Sequence, residues 1–409
     1  MNKHPIRSTS IRFPVVLCML AGFCLFSAPS AFGQSCNVPP SAPISWIAMP
    51  GRPFKAVSTS DGCWIFVSVN GANQAAPHGV QVLQRDHGQI KTKNLFQTQG
   101  APFGMVLTHD GSLLAVVDGD GVAFMDAKTM ISGRGDPILG HISDGPESGT
   151  IYVDVTADDK FLFVCNERAQ SITVINLEKA RANHFSPDSV VGRIPAGIAP
   201  VGLAFSPDQK FLYTTSEGAP RRLNWPAECK LENPAAGNGA NHQMGAIIVI
   251  DVAIAEKEPA RSVVSIARAG CSPVRVAMST TGDKVFVTVR GSDSLLAFDR
   301  AKLKDDPEHA LIATVPVGLS PVGVVVVNSG RLILVINSNR FANNHDERQS
   351  LTAIDSSKVA SGSSAVLGKI PAGAFPREFC QLPDGRTLIV TNFFSRELEV
   401  IDLTRLKIN

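Results

Sequence analysis

The sequence predicts an all-β chain, a seven-bladed β-propeller of four-stranded blades closed by an amino-terminal strand that completes the last blade. Three observations carry that prediction. A unit of about 50 residues repeats along the chain. Its apolar runs are short, β-branched or aromatic, and bounded by Gly, Pro, Asn and Asp. No longer run sustains a helical period.

The unit is clearest at residues 194–218, "IPAGIAPVGLAFSPDQKFLYTTSEG", and returns as "VPVGLSPVGVVVVNSGRLILVINSN" and "IPAGAFPREFCQLPDGRTLIVTNFF". It opens with a short apolar strand and Gly-x-x-Pro, then runs strand, tight turn, strand, polar loop and a third strand ending in Asp. The tight turn recurs at Asp61-Gly62, Asp110-Gly111, Asp158-Asp159, Asp208-Gln209, Gly282-Asp283, Ser329-Gly330 and Asp384-Gly385, which sets the blade count at seven. Third strands follow as "GVAFMD", "SITVINL", "AIIVIDV", "SLLAFD", "SLTAID" and "ELEVIDL". The last unit stops after "ELEVIDL", whereas "ISWIAMPGRPFKAV" supplies a fourth strand with no blade of its own. Residues 44–49 are therefore expected to complete the final blade, leaving no open sheet edge at the seam.

The repeated unit, with "LIVTN" at residues 388–392, resembles the YVTN family of propeller repeats over almost the whole chain after residue 33. The second and third units are degenerate, "DGPESGTIYV" standing in place of the usual Gly-x-x-Pro. The resemblance implies a scaffold shared by surface-layer and periplasmic proteins and by the lactonase-grouped propellers, some relatives serving beside redox enzymes. It leaves the activity open.

Residues 1–33 read as a cleaved signal peptide: Lys3, Arg7 and Arg12 precede the apolar run "FPVVLCMLAGFCLF", and Ala31-Phe32-Gly33 fits a small-x-small cut. The apolar run is shorter than the roughly 20 residues of a bilayer span, so no membrane span is expected after cleavage. The propeller domain is then 34–409, with a long loop insertion at 217–245, and its expected location is periplasmic or secreted. Of 38 basic and 36 acidic residues the leader removes three bases and no acid. The remainder is near neutral, which argues against bulk nucleic-acid binding.

Six cysteines remain after the leader, and no Cys-x-x-Cys occurs. Cys229 with Cys271 is the first disulfide candidate, because it would constrain the long insertion. Cys36 with Cys63 is the second, and Cys165 and Cys380 read as buried thiols in apolar strands.

Function is expected on the face opposite the tight turns, where the loops vary in length. The expected ligand-binding residues there are Arg168, Arg275, Arg290, Asn337, Arg340, Arg377, Asn392 and Arg396. Converging guanidiniums suit a carboxylate or phosphate through their planar fork, or alternatively pair with neighbouring acids. Trp225, in the insertion, either stacks on a ligand or pins the loop. Glu167, Glu217 and His242 are the candidates for moving a proton. His78, His242 and His345 lie in three of the longer loops without metal-ligand spacing, and "DGDG" at residues 118–121 reads as a hairpin turn, so neither a metal nor a cofactor is expected. No Gly-x-Ser-x-Gly, His-Glu-x-x-His or phosphate loop occurs. The leading expectation is a monomeric binding or scaffold protein that takes a protein partner or a small anionic ligand on its long-loop face. The alternative is a lactonase-like hydrolase using Glu and Arg groups at the channel mouth.

Overall fold

The computed structural model describes Met1, Cys229 and residues 36–71, 76–225, 244–340 and 343–408. The leader and His242 lie outside the described residues. Seven antiparallel four-stranded sheets form a ring, as the repeat predicts. Blade 1 comprises Arg52–Ser58, Trp64–Asn70, Gly79–Asp86 and Gln89–Gln97. Blades 2 to 6 each take four consecutive strands, their innermost being Met105–Leu107, Thr150–Val155, Ile198–Phe205, Pro273–Met278 and Pro321–Val327. Blade 7 holds Pro376–Gln381, Thr387–Asn392 and Glu397–Asp402, and its fourth strand is Ile44–Ala48. Ile47 lies opposite Leu398, so the two ends of the chain close the ring in register.

Local chemistry explains the repeated letters. The tight turns need a left-handed backbone, which Gly62, Gly111 and Gly385 adopt without a Cβ penalty at φ of 67°, 70° and 68°. Asp159 and Gln209 take the same conformation at φ 57°, so these less regular turns have the geometry of the Asp-Gly ones. A hydroxyl two residues before the turn aspartate donates to its carboxylate, as from Thr59 to Asp61 (2.5 Å) and from Ser206 to Asp208 (2.6 Å). The aspartate that ends a third strand has a different task. Asp126, Asp251 and Asp299 accept from the backbone N–H of Thr129, Ile254 and Lys302 and so cap short helices. These helices, such as Ala127–Ser132 and Arg300–Asp305, sit between third and fourth strands and are absent from the sequence expectation. Six residues are too few to show a period, so the cap, not the pattern, marks them.

Apolar clusters fill the spaces between neighbouring blades, as where Ile65, Val67 and Leu83 of blade 1 meet Ile389, Leu398 and Val400 of blade 7. Burying each such side chain contributes about 1.5–3 kcal/mol. A second device repeats around the ring. Hydroxyls on second strands donate to the innermost strand of the next blade or the chain entering it: Ser68 to Phe103 O (2.6 Å), Thr215 to Val274 O (2.7 Å) and Thr288 to Val322 O (2.6 Å). Thr391 does the same to Phe54 O at 2.8 Å, joining blade 7 to blade 1 with the bond used elsewhere in the ring.

The structure pairs Cys36 with Cys63 and Cys229 with Cys271. Cys165 and Cys380 are free and buried. The hairpin at residues 118–121 joins Leu113–Val117 to Gly121–Asp126. No helix among the described residues is long and apolar enough to cross a membrane.

Candidate functional site

A cavity of about 380 Å³ opens at the mouth of the central channel, on the long-loop side of the ring. Two kinds of position line it. The innermost strands, and the chain just before them, contribute Phe54, Phe103, Ile151, Val201, Val274, Arg275, Phe375 and Arg377. The ends of second strands and the loops after them contribute Glu167, Glu217, Arg290, Arg340, Phe393 and Phe394. Blades 3 to 6 supply both carboxylates and three of the guanidiniums, whereas the five phenylalanines come from blades 1, 2 and 7.

Six of the sequence-predicted residues therefore meet in one cavity: Glu167, Glu217, Arg275, Arg290, Arg340 and Arg377. The others sit elsewhere. Asn337 is buried and structural, its Oδ1 accepting from Gly318 N (2.8 Å) and its Nδ2 donating to Thr352 Oγ1 (2.9 Å). Asn392 accepts from Gly373 N at 3.0 Å in the same way. Both side chains support the chain as it enters a blade, a use of Asn that the loop sequence alone does not distinguish from ligand binding. Arg168 is exposed and lies over Gly149, while Arg396 is exposed in a turn at φ 52°. His345 stacks on Phe394 with centroids 4.4 Å apart. Trp225 packs against blade 4 under Arg268. Among the described residues no group of three His, Cys, Asp or Glu side chains could hold a metal ion.

The cavity's cations are not equivalent. Arg290 donates to Glu217 at 2.6 Å. Arg275 Nε donates to Glu378 at 2.7 Å, and its guanidinium lies 4.5 Å from the Tyr152 ring centroid. Lys55 donates to Tyr152 Oη at 2.9 Å and lies 3.6 Å from Glu378, completing a network of four side chains across the channel. Burial opposes charge on both members of the Arg275–Glu378 pair. The partners win: Arg275 is held above its ordinary pKa and Glu378 below its own.

Arg377 has only partial compensation, from the charge of Glu378 without a direct ion pair. It is 8% exposed, no carboxylate lies within ion-pair distance among the described residues, and its Nε has no hydrogen-bond partner there. The guanidinium is flanked by two rings instead, 4.7 Å from the Phe54 centroid and 5.0 Å from that of Phe375. Burial, then repulsion from Arg275 and Arg340, brings its pKa down to about 9. Arg340, at the rim, is also held below its ordinary value by burial and by Arg290. Asp154, two residues after Tyr152 on the same strand, is pushed up to about 6 by burial.

Sequence reasoning missed Lys55, Tyr152, Glu378 and the phenylalanines. A signal for the inner set was present. The residue two after each connection proline reads Lys55, Gly104, Gly202, Arg275, Gly323 and Glu378, with Tyr152 in the degenerate unit. A Cβ on Gly104, Gly202 or Gly323 would lie within 3 Å of the next blade's backbone, so glycine serves close approach while the larger residues reach into the channel.

A family model described as "Lactonase, 7-bladed beta-propeller" matches residues 146–340. The chain is thus similar to that family over just under half of its length, and the match spans Glu167, Glu217, Arg275, Arg290 and Arg340 but not Arg377 or the phenylalanines. Among solved structures it is similar to one titled Kuenenia stuttgartiensis hydrazine synthase, with a TM-score of 0.63 at 18% identity over 87% of this chain and 96% of that one. It is equally similar to a chain in the crystal structure of the mitotic checkpoint complex, with a TM-score of 0.63 at 14% identity over 96% of this chain and 99% of that one. At these identities the likeness shows the fold alone. No curated protein sequence matches.

Proposed function

We propose that this chain is an exported binding protein that holds a small organic anion at the mouth of its central channel. Arg377 carries the reading. A buried cation with no ion-pairing carboxylate among the described residues, and whose Nε lacks a hydrogen-bond partner there, is costly, and an anion entering the cavity would relieve that cost and gain a charge-assisted bond. Arg340 is placed to approach the same anion from the rim. Export is supported by the leader pattern and by the two disulfides, which persist in oxidising compartments.

The test is calorimetric titration of the protein with short carboxylates and inorganic phosphate at low and moderate salt. Binding should weaken with salt, and Arg377→Met should lower affinity by about tenfold or more. Failure of every anion in that panel to bind would remove the proposal.

A second reading is a lactonase-type hydrolysis in the same cavity. The family match favours it, as does the meeting of Glu167 and Glu217 with arginines that could stabilise charge on a lactone carbonyl oxygen. Glu217 is engaged by Arg290, which leaves Glu167 better placed to accept a proton from water. Turnover of a lactone panel, abolished by Glu167→Gln or Arg340→Ala, would establish it. A ligand bound without turnover would return the site to binding alone.

A further inference from the structure

We infer that the anion is an aromatic monocarboxylate whose ring lies against the phenylalanine wall while its carboxylate meets Arg377. This deepens the anion-binding reading and rests on it. The cavity has two chemically distinct halves. One is the arginine side already described. The other is a continuous set of rings: Phe54 meets Phe103 edge-on at 5.4 Å and Phe393 at 6.5 Å. Phe375 in turn meets Phe393 edge-on at 5.6 Å and stacks on Phe394 at 4.6 Å. Edge-to-face sets of this kind leave ring faces and edges available to one further ring, which an aliphatic acid cannot match.

Arg377 joins the two halves. Its guanidinium lies beside Phe54 and Phe375, members of the wall themselves, so a carboxylate paired with it places the attached group against those rings. A small anion such as acetate or phosphate would answer the charge and leave the apolar wall wet. A neutral arene would cover the wall and leave the buried cation uncompensated. Only a molecule carrying both features satisfies both halves. A single negative charge suffices, because Arg275 and Arg290 already pair with Glu378 and Glu217, and Glu167 and Glu217 in the lining would repel a second. The volume of about 380 Å³ falls toward the lower end of small-molecule sites, which suits one or two rings.

The experiment is a calorimetric series on the unaltered protein with benzoate, 2-naphthoate, cyclohexanecarboxylate, acetate and benzyl alcohol, repeated on Phe393→Leu and Arg377→Met. The aromatic acids should bind about tenfold tighter than cyclohexanecarboxylate, and acetate should bind weakly. Phe393→Leu, which keeps apolar bulk, should remove most of that preference while leaving acetate unchanged. Arg377→Met should lower the affinity of every acid by about tenfold or more. Equal affinity for aromatic and alicyclic acids would overturn the inference and leave the anion reading intact. Binding of benzyl alcohol as tight as benzoate would overturn both, as would no binding by any acid. The ligand series stands on the unaltered protein, so the outcome does not depend on a variant folding.

Discussion

Arg377→Met should stabilise the ligand-free protein while removing the proposed anion site. Arg377 is a cation whose folded pKa is depressed, so its charge opposes folding at every pH below about 9 and the opposition fades above that value. At pH 7 both folded and unfolded chains carry the charge, and the full cost is present. A free guanidinium titrates at ~12.5 or above, and each tenfold shift is worth ~1.4 kcal/mol, which sets an upper bound of about 5 kcal/mol. The real gain is smaller, because neighbouring groups relax and the substitution gives up two ring contacts worth about 0.5–1 kcal/mol each. A net gain of about 1–2 kcal/mol is expected. Urea denaturation at pH 7 measures it, at low salt and again at 0.5 M salt, where screening of Arg340 at the rim should shrink the difference. A loss of stability in Arg377→Met, with benzoate affinity unchanged, would refute both the electrostatic argument and the site built upon it.

Glu399 is fully buried in the closing blade, and burial pushes its carboxyl up to about 8. A carboxyl raised by folding lends stability that is full below the unfolded value and lost as pH rises through about 8, so Glu399→Gln should flatten the decline of stability between pH 5 and 9 by about 2–3 kcal/mol. An unchanged pH slope in denaturant melts would count against that origin. Ile47→Asp should cost about 3 kcal/mol by setting a carboxylate against the cluster shared by blades 1 and 7, read as a lower thermal midpoint. Cys229→Ser should cost up to about 4 kcal/mol from the closed-loop entropy of a 42-residue separation, and reductant should destabilise the unaltered protein but not leave the variant further behind.

The blade count, the strand order and the closing strand were legible because each rests on a local signal repeated seven times. Turn residues fix φ, alternating apolar residues fix the buried faces, and the unmatched halves at the two ends imply their pairing. The site was legible only in outline. Arginines and glutamates in variable loops announce themselves as chemistry, and six of them do meet. Asn337 and Asn392 look the same in the sequence yet bond to backbone at blade entries. The phenylalanines were not legible as a site because Phe54 lies in a strand and the other four lie within a few residues of one, where an apolar ring reads as core and nothing local tells a ring facing another blade from a ring facing the channel.

What the chain's letters decide by themselves is everything that depends on neighbours within one unit: strands, turns, caps and the number of blades. What only the tertiary structure decides is which cations keep a partner. Arg275 and Arg377 occupy adjacent positions of the same repeat motif, two residues and one residue after a connection proline respectively, and neither sequence context predicts a different fate. The ring carries Glu378 to within 2.7 Å of Arg275 across 103 residues of chain and brings rings instead to Arg377. Charge compensation in a buried channel depends on distances between blades, and those distances exist only once the circle is closed.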